Sequence, residues 1–208
     1  MRVDAAWAPL QWPGMEHAVL SSGSSRRPRL SGLALLVLGE RPFRVTYRLA
    51  CDAAWRARRL TVTVSGPGAA PAGRLDLPAD GAGNWTDALR RCPVPELDGC
   101  VDLDLSVTPL TNTLPIRRLG LSPGMTRGLT VAYVKIPDLT VSAAAQRYTC
   151  TSRDSGPARY QYESERFQAS LQVDEHGLVL DYPGIWRRIP LQNPCRADVT
   201  GATNDHSR

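Results

Sequence analysis

Two adjacent arginines, Arg117 and Arg118, stand between apolar residues in the segment LTNTLPIRRLGL, residues 110–121. A guanidinium in such a setting has two uses. It can fork onto a carboxylate of the same chain, or it can hold the phosphate, carboxylate or sugar hydroxyl of a ligand. Carboxylates that could meet it are Asp102, Asp104 and Asp181. Asp102 and Asp104 alternate in CVDLDLSV and so share one face of a strand, where an acid pair for proton transfer is conceivable but a solvated face is the ordinary outcome. Glu16-His17 is a second possible acid–base pair, with a structural hydrogen bond as its ordinary reading. Asn112 is a candidate ligand contact beside the arginines, or a helix N-cap. Arg147-Tyr148, at the end of a long strand, either lines a cleft or supplies a cross-strand ion-pair partner. Asp181-Tyr182 precedes the turn signal Pro183-Gly184, so Asp181 either braces that turn, pairs with an arginine or touches ligand. The candidate binding residues are thus Asn112, Arg117, Arg118, Arg147, Tyr148, Asp181 and Tyr182.

Several chemistries are not supported. GxSxG, P-loop, HExxH and dinucleotide-binding fingerprints are absent from the sequence, so no catalytic residues are assigned and no cofactor is expected. GAGNW, residues 81–85, has two glycines but sits in a turn and not before a helix. Five cysteines at irregular spacing, without a CxxC, and three dispersed histidines give no metal site; reduced thiols in a cytoplasmic protein are expected instead. The formal net charge is +5, with Lys135 the one lysine among 25 basic residues. The arginines are spread along the chain in pairs such as Arg58-Arg59 and Arg90-Arg91, which argues for solvated strand faces over nucleic-acid contact. The N-terminus has no apolar core of a secretory signal, and the longest apolar run, residues 33–38, is far short of the roughly 20 residues of a membrane helix.

The elements that must position these residues are mainly strands. RLTVTVSG, CVDLDLSV and FQASLQVDEHGLVLDY alternate with period two, the last turning at 174–177 as a hairpin. LDLPADGAGNWTDAL turns through its glycines, and LTVAYVKIPDLTVSAAAQRYTC gives two strands broken at Pro137-Asp138. Short Gly, Pro and Asp turns between strands predict an antiparallel meander with no parallel βαβ unit. The one good helix signal lies at 112–119: Asn112 or Thr113 as N-cap, Pro115 in the first turn and Gly120 as the stop. Residues 53–59 read as a turn or short helix, 21–29 as a flexible loop, and 190–208 as a disordered tail behind a single domain of residues 1–189. A long meander must curl and cover its edges. Curling around the helix makes Leu114, Ile116 and Leu119 core, and sends at least one of the two arginines to the wall or mouth of the enclosed space.

The chain resembles a family of bacterial proteins labelled glycolipid-binding. The residues that carry the resemblance are Glu16-His17, PFRVTYRLACDAAWRARRLTV from Pro42, LDGCVDLDLSVTPLTNTLPIRRLGL, QRYT at 146–149, Tyr160, Tyr162 and LVLDYPGIWRR up to Arg188. It runs over about residues 7–189 and departs at the 21–30 loop, at CTSRDSGPA (150–158) and beyond Pro190. The resemblance implies a mainly β fold in which a single long antiparallel sheet winds as a spiral β-roll, half-barrel-like, around one short helix. It also implies a homodimer with a cleft and an apolar half-barrel of the kind that carries acyl chains.

The expected function is therefore non-enzymatic binding or carriage of a hydrophobic ligand, a lipid or glycolipid, with aromatics such as Trp55, Tyr148, Tyr160 and Tyr182 available to stack on sugar rings. Two alternatives stand beside it: an enzyme acting on a small molecule, which would need a convergent acid–base pair in a cavity, and a structural homodimer with no ligand.

Overall fold

The computed structural model describes residues 1–23, 26–67, 73–153, 156–165 and 167–191. Its N-terminal half is an antiparallel meander of β1 (Arg2–Pro9), β2 (Gly14–Gly23), β3 (Arg26–Leu38), β4 (Arg41–Cys51), β5 (Ala57–Ser65) and β6 (Gly73–Pro78). A two-stranded excursion, β7 (Thr86–Asp87) with β8 (Cys92–Pro93), precedes β9 (Asp102–Leu105) and the helix α1 (Thr113–Leu119). The C-terminal half is a second meander: β10 (Thr126–Lys135), β11 (Thr140–Ser152), β12 (Ala158–Ser164), β13 (Phe167–Val173), β14 (Val179–Tyr182) and β15 (Trp186–Ile189). β15 returns to pair with β1, from Ala6↔Ile189 to Pro9↔Trp186, and so fuses both meanders into one open 13-stranded sheet.

Period-two alternation forms these strands and chooses their inner face. β4 is the clearest case, burying Phe43, Val45, Tyr47, Leu49 and Cys51 while turning Arg44 and Arg48 to solvent. The enclosed space is filled by large side chains, Trp7, Trp85, Trp186, Tyr148 and Tyr160 among them. Two of the indoles satisfy their N–H on the backbone: Trp7 donates to Val179 O at 2.8 Å and Trp85 to Cys100 O at 2.7 Å. At the centre lies the segment running from Thr108 through α1, and both halves of the sheet reach it. Tyr47 of β4 meets Thr108 at 3.1 Å, Tyr148 of β11 donates to Asn112 at 2.8 Å, and Thr113 donates to Gly177 O at 3.0 Å. The sheet therefore wraps the helix, as the alternation and the single helix signal imply.

One part of the expected topology is overturned. β9 pairs in parallel with β10, Asp102 facing Val131 and Leu105 facing Val134, so β9, α1 and β10 form a parallel crossover and the sheet is mixed. Parallel neighbours need a connection of a dozen or more residues, usually helical. The stretch 106–125 supplies it, whereas DLDL alternates identically for either strand direction. The helix signal itself is right at both ends, but Asn112 makes no side-chain cap bond; its amide donates to Pro109 O at 3.2 Å and its carbonyl accepts from Tyr148. Gly120 closes the helix in the left-handed region, φ 54°, with its N–H on Ile116 O.

Local expectations fare differently from one another. Residues 21–23 and 26–29 extend β2 and β3 and are not a loop, with Ser24 and Ser25 outside the described residues. Residues 53–54 form a turn and β5 already begins at Ala57. The C-terminal tail lies outside the described residues from 192 onward. The two edge strands, β6 and β9, each have a single backbone bond from elsewhere in the chain at or beside them: Ala88 N–H to Asp76 O on β6, and Ala57 N–H to Val101 O just before β9.

Gly32 shows how tightly the inner face is fitted. It sits opposite Tyr47 in the β3–β4 register, and a Cβ there would fall 2.4 Å from the Tyr47 hydroxyl and 2.5 Å from its ring. The ring lies over the bare glycine on its way to Glu16. Gly32→Ala is expected to displace Tyr47 and destabilise the fold by about 1–3 kcal/mol. Urea denaturation checks this, and an unchanged midpoint would contradict the fit.

Candidate functional site

The adjacent arginines divide their roles because successive residues on a helix point about 100° apart. Arg118 turns inward. Its Nε lies 2.9 and 3.0 Å from the two carboxylate oxygens of Asp102, and Nη2 also donates to Asp102. Asp102 has 0 % side-chain exposure and Arg118 22 %, so this is a largely buried ion pair clamping α1 to β9. Burial pushes the Asp102 carboxyl up from its ordinary value and the Arg118 guanidinium opposes that shift. Asp104, on the same strand face, accepts from Thr111 at 2.8 Å and from Gln146 at 2.7 Å. The two aspartates are therefore not a solvated face. β9 is covered on both sides, with Leu103 and Leu105 buried opposite them.

Arg117 turns outward. Its guanidinium lies 5.2 Å from the centre of the Trp55 ring and reaches Glu175 O at 3.4 Å. Trp55 holds a left-handed backbone, φ 64°, in the β4–β5 turn. Gly177, at φ 81°, makes room on the other side: a Cβ there would meet Arg117 Cδ at 3.1 Å. This arginine borders a half-open cleft of about 790 Å³ between α1 and the strands β11 to β14. Ile116, Pro157, Ala158, Val173 and Leu180 supply its apolar lining, and Arg117, Arg153, Tyr160, Asp174 and Glu175 its polar lining. Asp174 is already engaged, accepting the N–H groups of His176 and Leu178 and the Arg188 guanidinium at 2.9 Å. Arg153 donates to Leu121 O at 3.1 Å.

The structure does not gather the other candidates at this cleft. Asn112 and Tyr148 bond each other inside the core, where Tyr148 also packs edge-on against Tyr162 at 5.2 Å. Tyr182 is buried against Tyr162 and Phe167. Arg147 sits on the opposite strand face and pairs across strands with Glu163 at 3.2 Å. Asp181 stands half-buried between Gln172 and Arg187 in the sheet register. Sequence reasoning named Tyr160 only as one of several aromatics and missed Arg153, which falls in a stretch read as a variable loop. Alternation in ARYQYES places Tyr160 and Tyr162 on the inner face together, and that signal was available.

A second polar group lies deep in the fold. Glu16 and His17 are neighbours in sequence but opposite in the pleat, so they form no dyad. His17 is exposed and bonds Asp4 at 3.0 Å, while Glu16 is fully buried and accepts from the Tyr47 hydroxyl. Its second oxygen, Oε2, has no hydrogen-bond partner among the described residues. Desolvation pushes the Glu16 carboxyl up to about 7, with Tyr47 and Thr108 opposing. Burial likewise raises the Cys51 thiol to about 12, which makes it an inert core group. No disulfide joins the four described cysteines, and among the described residues no cluster of side chains suits a metal. Nor is any described helix long and apolar enough to cross a membrane.

The structure is an open, strongly curved sheet around one helix, with a cleft of mixed apolar and charged lining at the helix end. Residues 4–188 match the model of the family described as "Putative glycolipid-binding", and the chain belongs to that family. A crystal structure of a DUF1089 family protein from Pseudomonas aeruginosa is similar, with 34% sequence identity and a TM-score of 0.71 over 84% of this chain and 92% of that one. A β-barrel-like protein of a domain of unknown function, DUF1849, from Brucella abortus shares the fold at 9% identity, with a TM-score of 0.53 over 90% and 93% of the two chains. No curated protein matches the chain.

The buried glutamate makes a pH prediction. Its folded pKa of about 7 lies above the ordinary 4.5, so the native state binds the proton more tightly than the unfolded chain. The contribution to stability is fully present below pH 4.5, declines above it, and is lost as pH rises through 7. Glu16→Gln keeps the shape and cannot ionise. Relative to this variant, the wild type is expected to lose roughly 2–4 kcal/mol between pH 4.5 and 8. Parallel stability curves for the two proteins across that range would contradict the assignment.

Proposed function

We propose that this protein is a non-enzymatic binding or carrier protein for an amphiphile of the lipid or glycolipid class, held in the cleft beside α1. One observation carries the reading. The cleft is lined by apolar Ile116, Val173 and Leu180 together with polar groups, among them Arg117, which has no carboxylate partner among the described residues. Clefts of this size and mixed lining bury the chain of an amphiphile while a few polar groups fix its head. Membership of the glycolipid-binding family supports the same class of ligand. Because Trp7, Trp85 and Trp186 fill the interior, the reading places the ligand in the cleft and not in a hollow lumen. A homodimer in solution belongs to the reading through the family resemblance, and a cytoplasmic setting through the irregular cysteine spacing.

Ala158 lines the cleft from β12, half-buried at the margin of the core, so a large side chain there fills the space. Native mass spectrometry of freshly purified wild type is expected to reveal a retained amphiphile. Ala158→Trp should reduce the bound fraction at least tenfold with a melting temperature within a few degrees of wild type. Wild type without any bound amphiphile, or full retention by the tryptophan variant, would overturn the cleft as the binding place.

A further inference from the structure

We propose that the cleft selects an amphiphile with a phosphate-class anionic head, held jointly by Arg117 and Arg153, with Tyr160 lining the same space. This deepens the preceding reading and rests on it, since a glycolipid head can equally be a neutral sugar.

The charges that line the cleft make the case. Arg117 arrives from α1 and Arg153 from just beyond β11, so two separate segments bring an arginine to the lining of one space. Neither forms an ion pair with a carboxylate among the described residues. Arg117 lies over the Trp55 ring and bonds only a peptide carbonyl, and Arg153 likewise bonds only a peptide carbonyl. Both side chains are exposed at the cleft, unlike the half-buried Arg118 and Arg188, which are held by Asp102 and Asp174. The acids at the cleft do not cancel the pair. Asp174 is spent on Arg188 and on two peptide N–H groups, and Glu175 is largely exposed, its carboxylate lying 3.3 Å from His176.

Tyr160 completes the arrangement. The residue is 1 % exposed and lines the cleft; burial raises its phenol, Arg153 and Arg117 oppose that rise, and its bond with Cys150 adds to it. A ligand oxyanion placed there meets two guanidinium forks and one phenolic hydroxyl. Phosphate has enough acceptor oxygens to use both guanidinium groups and the hydroxyl together, whereas a carboxylate has two oxygens and a sugar hydroxyl brings no charge to two cations that have no carboxylate partner among the described residues. Ile116 and Val173 then flank the first carbons of the attached chain.

The test uses the full chain and three probes: n-octyl phosphate, n-octyl β-glucoside and inorganic phosphate, each titrated calorimetrically at low salt below its micelle concentration. The proposal expects octyl phosphate to bind at least tenfold more tightly than either other probe. Arg117→Met and Arg153→Met should each weaken octyl phosphate about tenfold or more, change octyl glucoside less than twofold, and leave the melting temperature within a few degrees of wild type. Equal binding of the glucoside and the phosphate ester, both abolished by Ala158→Trp, would overturn the anionic head and leave the cleft reading standing. Inorganic phosphate binding as tightly as the ester would overturn the amphiphile and leave a free-anion site. Octyl phosphate binding that neither arginine variant weakens would overturn the proposal, and failure of both octyl probes to bind would overturn it together with the cleft reading.

Discussion

The ion pair between Arg118 and Asp102 is the contact on which the rest of the architecture depends. A single short helix of seven residues cannot sustain itself by backbone hydrogen bonds alone. It persists because a sheet closes over it, and that burial would strand every polar group on its surface without internal partners. Arg118 meets Asp102 at one end, and Asn112, Thr113 and Thr111 find Tyr148, Gly177 and Asp104 around the rest. Removing one member of such a buried pair costs about 3–5 kcal/mol, mostly from the charge left behind. The clamp also fixes the rotation of α1, and the rotation sends Arg117 out to the cleft.

The same segment couples the two meanders. Thr108, just before the helix, meets Tyr47 and through it Glu16 of the N-terminal half, whereas Tyr148 and the Gly177 turn belong to the C-terminal half. The β1–β15 pairing joins the halves in the sheet, and the central segment joins them through the interior. A cleft bounded by α1 on one side and β11 to β14 on the other inherits its shape from both connections.

Much of this could be read from the residues. Alternation located most strands, and Pro115 with Gly120 bracketed the helix to within a residue. Pairing of an arginine with Asp102 was among the expected outcomes, although which arginine pairs depends on helix rotation and follows only from packing. Strand direction was not legible, because DLDL buries its leucines equally well in a parallel or an antiparallel neighbour. Burial of Asp102, and the half-burial of Asp104, were hidden for a related reason: alternation shows that one face is apolar, not that a helix will cover the other. Glu16 is a different case. It shares its face with Ala18 and Leu20, and an acid on an apolar stripe was a visible signal that its adjacency to His17 concealed. Arg153 could not be found this way, since its place at the cleft depends on how β11 ends against Leu121 across the fold.

The account's central claim is that Arg118 is committed to Asp102 inside the fold and thereby leaves Arg117 for the cleft. A double-mutant cycle tests it most directly, with Asp102→Asn, Arg118→Met and the double variant compared with wild type by urea denaturation at pH 7. The account predicts that each single change destabilises strongly and that the double variant is markedly more stable than the sum of the two, with a coupling of roughly 2 kcal/mol or more. The same cycle run with Arg117→Met in place of Arg118→Met should be additive within about 0.5 kcal/mol. Additive behaviour of Asp102 with Arg118, or strong coupling of Asp102 with Arg117, would contradict it.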